Sequence, residues 1–598
     1  MAEHLRAQVE RLGAYLNRHW VVALVALWIG AMAWMLWVRW GGIHWFALPD
    51  TDDNIRMDQV RDWLNGQGWY DLRQYRLNPP GGFDIHWSRF VDLPIAGIIL
   101  ALRPFVGGAM AEKTAVALAP MLPLAIAMAA TAVTARRLVA PIAAIPAAAL
   151  ILLCQSALFM FMPLRIDHHG WQLAMLAATV AGLTDPRAAR GGAIAAISTV
   201  ISLVIGLEML PFLAIAGGAI VLRWVWEGAT EAERMRTYAL GVAGGSAIGY
   251  VLFASYANRA PVCDALSPVW LSALLLAGAL LYPMSLLRSQ SRAVRFFVAG
   301  AAGAVVACAF AVTWPGCLTR PEHVSPELDR LWLSNVKEAR PITLQKRDVI
   351  IGIVTMPIVG LVGAIVMCWR TRRDARAIAN WATILLMALL SCAMLFWQAR
   401  IGAGAQIIAL PGAAALGWLA LGWMWRQSLP VAGGAATAAA AAIAAWVWLP
   451  PTAFGLPASP ARPALKIIGK ANARCPTLPA LAPIAKLPAT TIMTFVDLGP
   501  RLITVTHHSA IAGPYHRNGD AILDIHHAFD GAPEQARAIA KRHGATLLLT
   551  CPNMSESTIY RSRSPNGFYA RLSRGEKFDW LTPVPLPASS PLKLWRIS

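Results

Sequence analysis

Charge is scarce in this chain. Only 14% of its residues are Asp, Glu, Lys or Arg, against about a quarter in a soluble domain, which excludes an ordinary globular protein. Acids are the scarcer sign, 32 against 52 Lys and Arg in 598 residues. The eight cysteines show none of the paired spacings of a zinc or iron–sulfur site, which argues against a cysteine metal centre. No internal repeat is visible, which argues against a solenoid. The first apolar run, 20–38, is long, Trp-flanked and lacks a small-residue cleavage site, so it is read as a retained span and not a signal peptide.

What the chain has in abundance is long apolar sequence. It is 57% hydrophobic, and run after run approaches the roughly 20 residues needed to cross about 30 Å of hydrocarbon. Repeated unbroken runs of this length suit only helices, since a helix satisfies its own backbone in lipid. The runs fall at 20–38, 111–134, 141–161, 170–183, 192–205, 210–226, 238–256, 269–287, 296–314, 348–369, 378–397, 401–425 and 431–448. The expectation is a polytopic α-helical membrane protein of about thirteen transmembrane helices. Residues 93–105 are apolar but short, carry Arg103, and read as a helix lying against the bundle.

The net charge of +20 would suggest nucleic acid in a soluble protein. Here much of it sits in short loops between spans, where Lys and Arg set orientation. Arg136-Arg137, Arg187/Arg190, Arg234/Arg236, Arg288/Arg292/Arg295 and Arg370/Arg372/Arg373/Arg376 fall in alternate loops. This places the N-terminus in the cytoplasm. An odd span count then puts segments 39–92, 164–170 and 315–346, with the tail from 450, on the outer face. A bacterial inner membrane, with that face in the periplasm, is the expected location.

The organisation is thus a membrane domain, 1–449, and a C-terminal domain, 450–598. The tail begins Pro- and Ala-rich and then shows short strand-like runs at 491–496, 502–505, 545–550 and 592–596, with a helical stretch at 533–543. This reads as a small α/β domain. Cys154, Cys308, Cys368 and Cys392 lie in or beside spans and are read as buried. Cys263, Cys317, Cys475 and Cys551 lie in exposed segments. In an oxidising compartment Cys475–Cys551 is the expected bridge, and a Cys263–Cys317 bridge is left open.

Acids at the edges of apolar spans are the chemical signal. A carboxylate in hydrocarbon costs about 2.5–3.5 kcal/mol on insertion scales, so such acids face water, a metal or a partner. Asp50-Thr51-Asp52-Asp53-Asn54-Ile55-Arg56 has the oxygen density that suits Mg²⁺ or Mn²⁺. An acidic helix cap is the other reading. Asp167-His168-His169 precedes another span, and Asp167 and His169 reach one ion from a turn; packing or capping is the alternative. Glu338 lies in Asn335-Val336-Lys337-Glu338, within the long loop 315–346.

Taken together, these segments resemble the catalytic subunit of oligosaccharyltransferase, a GT-C membrane glycosyltransferase. That family's first acidic motif has Asp followed six residues later by Arg, often with Asn between; Asp50, Asn54 and Arg56 match. Its second motif takes the form Asp-His-His in many archaeal members, matched by Asp167 and His169. Its loop carries a Thr-Ile-x-Glu-type motif, similar to Asn335–Glu338. Phe495-Val496-Asp497-Leu498-Gly499 stands where the family has Trp-Trp-Asp-Tyr-Gly, which binds the acceptor sequon. The two tryptophans are missing, which puts recognition of an Asn-x-Ser/Thr sequon in doubt.

The resemblance implies the GT-C fold and a metal-dependent transfer of a sugar or oligosaccharide from a polyprenyl-(pyro)phosphate donor at the outer face, by inverting displacement. It implies a divalent cation, Mn²⁺ or Mg²⁺, on Asp50, Asp167, His169 and Glu338. Asp50, Asp52 and Glu338 are then the catalytic set, Asp52 also serving to orient the acceptor. Arg400 resembles the donor-phosphate arginine, with an interfacial snorkelling arginine as the other reading. Asp497, His507, His508, Tyr515, His516 and Arg517 form a polar, ring-rich set for an acceptor that is protein, lipid or glycan, or else pack the domain onto the bundle. A non-catalytic transporter or flippase of a lipid-linked saccharide is the alternative function. Acids gathered at one face, and not at the midplane, favour the enzyme.

Overall fold

The structure is a computed structural model that describes residues 13–424 and 463–598. Two bodies meet along one face: a helical bundle and a C-terminal domain built on a five-stranded sheet. The protein is a multi-pass membrane protein. Among the described residues nine helices are long and apolar enough to cross a bilayer, from Trp20–His44 to Ala399–Trp423. The expected run 431–448 and the boundary at 449/450 lie outside the described residues. His169–Leu183, at 15 residues, and Pro141–Leu153 are shorter apolar helices.

The run expected at 141–161 is broken into short 3₁₀ and α turns. Prolines at 141 and 146 explain the interruption. The freed N–H groups of Ser156 and Ala157 donate to Gln406 Oε1 at 3.1 and 3.0 Å. The Gln406 amide in turn donates to the carbonyl of Gly352 at 2.8 Å. A buried glutamine thus satisfies irregular backbone at membrane depth, as lipid demands. Helices Arg347–Arg370 and Gly402–Met424 approach backbone to backbone: a Cβ at Gly363 would lie 1.9 Å from the carbonyl oxygen of Gly412, the close packing that small residues permit.

The segment after the first span forms helix Thr51–Leu64 and a hairpin of β1 (Arg73–Gln74) and β2 (Phe83–Asp84). The C-terminal sheet contains β3 (Thr491–Met493), β4 (Ser509–Ala510), β5 (Ala545–Thr550), β6 (Leu581–Val584) and β7 (Lys593–Ile597), in the order β4-β3-β5-β7-β6. β3 pairs in parallel with β4 and β5, and β7 runs antiparallel to β5 and β6. The strand expected at 502–505 is instead helix Gly499–Val505. Pro500 suits its first turn, and Leu502 and Ile503 are both buried. A four-residue apolar run carries no period that separates strand from helix.

The two bodies share a hydrophobic core. Ile55, Leu77, Phe83 and Trp87 from the first long segment, with Leu328, pack into one cluster with the C-terminal domain. Backbone bonds from Ala510 to the carbonyl of Arg76 (2.9 Å) and from Asn78 to that of Ala510 (3.0 Å) extend the sheet edge into that segment. Arg76 donates to the carbonyls of Ile503, Thr506 and His508 at 2.6–2.8 Å, capping the C-terminus of helix Gly499–Val505.

Both Cys475–Cys551 and Cys263–Cys317 are disulfides. Cys154 is buried as expected and Cys368 and Cys392 are half-buried. Cys308 is exposed, on helix Arg292–Thr313, whose apolar window has no fully buried residue. A helix that faces lipid exposes its apolar residues.

Candidate functional site

A cavity of about 1650 Å³ lies between the bundle and the C-terminal domain. Asp50, Asp52, His169, Glu338, Arg400, Asp497, Tyr515 and His516 all line it. The three acidic segments therefore open into one space.

Asp50 caps helix Thr51–Leu64, accepting from the Asp52 N–H at 3.5 Å and the Thr51 hydroxyl at 3.1 Å. Its other oxygen lies 2.8 Å from Arg165 Nη1. Capping and ion pairing are thus both met. Asp53 is fully buried, accepts the Asp167 N–H at 3.0 Å and pairs with the same Arg165 Nη1 at 2.8 Å. Asp167 pairs with Arg165 Nη2 and accepts the His169 N–H at 3.1 Å. Burial would raise the Asp167 carboxyl, but Arg165 and His169 hold it well below the usual carboxylate range. Arg165 is the hub, 3% exposed and facing three carboxylates.

Asp52 makes no side-chain hydrogen bond among the described residues and faces the cavity. Burial, then Asp50 and Asp167, push its carboxyl up to about 8. Burial lowers the His169 imidazole, yet Asp167 outweighs it and the group rises to about 9. His169 Nδ1 is buried without a hydrogen-bond partner among the described residues, 3.3 Å from Asp167 Oδ2.

Arg56, the arginine of the first motif, points away from the cavity. It donates to Asp92 at 2.8 Å and the Ser88 carbonyl at 3.2 Å, and lies over Trp87. It serves as a buried frame for the segment. Arg56 also sits 3.3 Å from His168 Nδ1, so His168 Nε2 carries the proton and donates to Glu208 at 3.0 Å. Gln172 donates to the same carboxylate at 2.6 Å. His168, His86 and Glu208 also line the cavity.

Glu338 stands apart from the other three expected ligands. It is well exposed and its nearest cation is Arg400, at 3.9 Å. Its charge is nevertheless felt at Asp52 and His169. Among the described residues the set of three ligand atoms lying within 4.8 Å of one another is Cys263, Cys317 and His323, where the sulfurs are joined as a disulfide and are not thiolate ligands. No three of Asp50, Asp52, Asp167, His169 and Glu338 come that close. Two carboxylates, Asp50 and Asp167, and the imidazole of His169, which faces Asp167 at 3.3 Å, are donor types that a divalent cation takes. Arg165 pairs with both of those carboxylates.

Arg400 lies in the turn Ala399–Ile401, facing Glu322 at 4.0 Å as well as Glu338. Its Nε is buried and unpartnered among the described residues. The loop that carries Glu338 is stitched beside it, with the Ala399 N–H donating to the Arg340 carbonyl at 2.8 Å.

On the C-terminal side, Asp497 faces the cavity with no side-chain partner among the described residues. Burial and Asp50 raise it to about 6. Phe495 is fully buried among Phe529, Tyr560 and Tyr569, so the ring preceding Asp497 is core. Tyr515 donates to the Thr51 carbonyl at 2.8 Å. His516 and Arg517 both bind Asp264, Arg517 in bidentate fashion at 2.6 and 2.7 Å. Arg517 is thereby a clamp between domain and bundle. His507 and His508 do not line the cavity. They donate to the carbonyls of Leu487 and Ile484 at 2.7 and 2.9 Å, satisfying backbone where a loop enters β3, and so stand apart from Asp497, Tyr515 and His516.

The sequence assigned no role to several residues of this wall: Arg165, Glu208, Asp264, His526 and Glu556. Glu556 accepts from the Val496 and Asp497 N–H groups, both at 2.9 Å, and from the Tyr560 hydroxyl, so it sets the backbone that presents Asp497. Arg165 lay in plain view two residues before Asp167. The others are isolated polar residues whose meaning comes from their neighbours.

No protein-family model and no curated protein sequence matches the chain. Solved structures do. The archaeal oligosaccharyltransferase AglB of Archaeoglobus fulgidus, in complex with an inhibitory peptide and a dolichol-phosphate, superposes with a TM-score of 0.69 at 13% identity, over 95% of this chain and 73% of that one. The A. fulgidus oligosaccharyltransferase tethered to an acceptor peptide containing an NVT sequon gives 0.65 at 13% identity, over 94% and 72%. The same enzyme with Zn and sulfate gives 0.53 at 14% identity, over 85% and 63%. The chain has the fold of these membrane glycosyltransferases.

Proposed function

We propose that the protein is a GT-C glycosyltransferase that moves a sugar or oligosaccharide from a polyprenyl-(pyro)phosphate donor to an acceptor, at the outer face of a bacterial inner membrane. The observation that carries this reading is the convergence of Asp50, Asp52, His169, Arg400 and Asp497 on one cavity, in a fold shared with an enzyme solved with dolichol-phosphate and with an acceptor peptide. With the N-terminus cytoplasmic, the C-terminal domain and the cavity mouth lie in the periplasm.

Breaking the anomeric C–O bond leaves a phosphate-type anion. Arg400, with its unpartnered Nε, binds and orients that phosphate. Asp50, Asp167 and His169 would hold a divalent cation, Mn²⁺ or Mg²⁺, with Glu338 brought in by the 315–346 loop. When bound, such an ion supplies positive charge against the departing phosphate. Asp52, without a side-chain hydrogen bond among the described residues, orients the acceptor against the anomeric carbon, and the acceptor's nucleophile displaces the phosphate with inversion. Asp497 and Tyr515, with His516, form the acceptor wall. The absence of the tandem tryptophans before Asp497 favours an acceptor other than a standard sequon peptide.

The test is release of labelled sugar from a polyprenyl-linked donor by the purified protein, with Mn²⁺ or with EDTA, comparing wild type with Asp167→Ala. Turnover or donor hydrolysis lost in the variant is expected. A donor that is neither bound nor consumed under any metal condition would refute the reading.

A further inference from the structure

The positive charge at the centre of the acid cluster belongs to the chain itself. Arg165 Nη1 lies 2.8 Å from both Asp50 and Asp53, and Nη2 pairs with Asp167. Asp53 and Asp167 have no exposed side-chain surface, and Arg165 keeps only 3%. Its guanidinium also lies 4.8 Å from the centroid of the Phe159 ring, which further fixes it. Buried carboxylates without a cation repel one another and are costly to desolvate. Here one guanidinium faces the two buried carboxylates, Asp53 and Asp167, and the partly exposed Asp50 beside them. A planar fork with five donors is the side chain suited to bridging several carboxylates at once.

We propose that Arg165 is a resident counter-cation: it keeps Asp50, Asp53 and Asp167 assembled without a divalent ion and weakens the binding of one. This rests on the reading of Asp50, Asp167 and His169 as cation ligands. A fixed positive charge a few ångströms from a divalent ion repels it strongly at the low effective dielectric of a buried site. Two of the carboxylates it pairs with, Asp50 and Asp167, are also residues that would hold the ion. Arg165 is a positioning residue and touches no substrate in this account.

The experiment uses the full chain in nanodiscs and reads Mn²⁺ binding by electron paramagnetic resonance, with thermal unfolding in EDTA and in Mn²⁺. Wild type is expected to bind Mn²⁺ and to change its midpoint by no more than about 2 °C on EDTA. Arg165→Met is expected to tighten Mn²⁺ binding at least tenfold and to become strongly Mn²⁺-dependent in stability. Arg165→Lys, which keeps the charge, is expected within threefold of wild type. Should Arg165→Met not fold, Arg165→Gln takes its place. Wild type that binds Mn²⁺ but loses 10 °C or more in EDTA overturns the inference, as does unchanged or weaker Mn²⁺ binding in the neutral variant. No Mn²⁺ binding by any form overturns the cation reading itself, and the inference with it.

Discussion

Asp264→Ala tests what docks the C-terminal domain over the cavity. Asp264 accepts two bonds from Arg517 and one from His516, all at 2.6–2.7 Å. Burial would raise this carboxyl, but His516 and Arg517 hold it well below the usual range. Truncation leaves both partners mostly buried and unpaired. Breaking a buried pair costs about 3–5 kcal/mol. Because Arg517 and His516 retain 15% and 12% side-chain exposure, we expect the lower end, about 3 kcal/mol. That is roughly a hundredfold in the local opening constant. The effect is local to the docking face, so the assay is native-state hydrogen exchange. The Asn518 amide, which donates to the Tyr515 carbonyl at 2.7 Å, should lose about 3 kcal/mol of protection. Amides of β5, in the middle of the sheet, should not change. A loss below about 1 kcal/mol at Asn518, or an equal loss across β5, would refute the reasoning. The double variant Asp264→Ala/Arg517→Ala should recover part of the loss, since it removes an orphaned charge.

Other outcomes follow from the same geometry. Arg400→Ala should raise KM for the polyprenyl donor, with Arg400→Lys intermediate, because a point charge replaces a bidentate fork; an unchanged KM would remove Arg400 from the phosphate site. Replacing Cys475 and Cys551 by Ser opens a loop of 76 residues and should cost the C-terminal domain about 4 kcal/mol, read by denaturant titration of that domain within the full chain. Burial first, then Arg563, lowers the His526 imidazole to about 3. A histidine whose folded value lies below its unfolded one contributes stability that is present above about pH 6.5 and is lost as pH falls toward 3. His526→Asn, which keeps an acceptor for Arg563, should flatten the fall in the domain's thermal midpoint over that window; an unaltered slope would count against the buried neutral imidazole.

The residues that declared themselves in the sequence did so through cost. Long apolar runs have one use, so the helical membrane body was legible, as were strand 545–550 and helix 533–543. Carboxylates at span edges are expensive unless they do something, so Asp50, Asp52, Asp167 and Glu338 stood out, and six other expected site residues, His169 and Arg400 among them, share the cavity with Asp50 and Asp52. His507 and His508 read like their neighbours Tyr515 and His516, yet they close a loop, because nothing in a local string says which way a ring points.

Composition and period alone specify a multi-pass bundle, a terminal α/β domain and acids that require a partner. The identity of that partner comes from the folded chain. Arg165 lies two residues from Asp167 but more than a hundred from Asp50 and Asp53, and the contact of all three with one guanidinium depends on folding the first segment against the loop before His169. The same holds for Asp264 with Arg517 and for Glu556 beneath Asp497. Pairing between charges falls off with distance in space and is indifferent to distance along the chain.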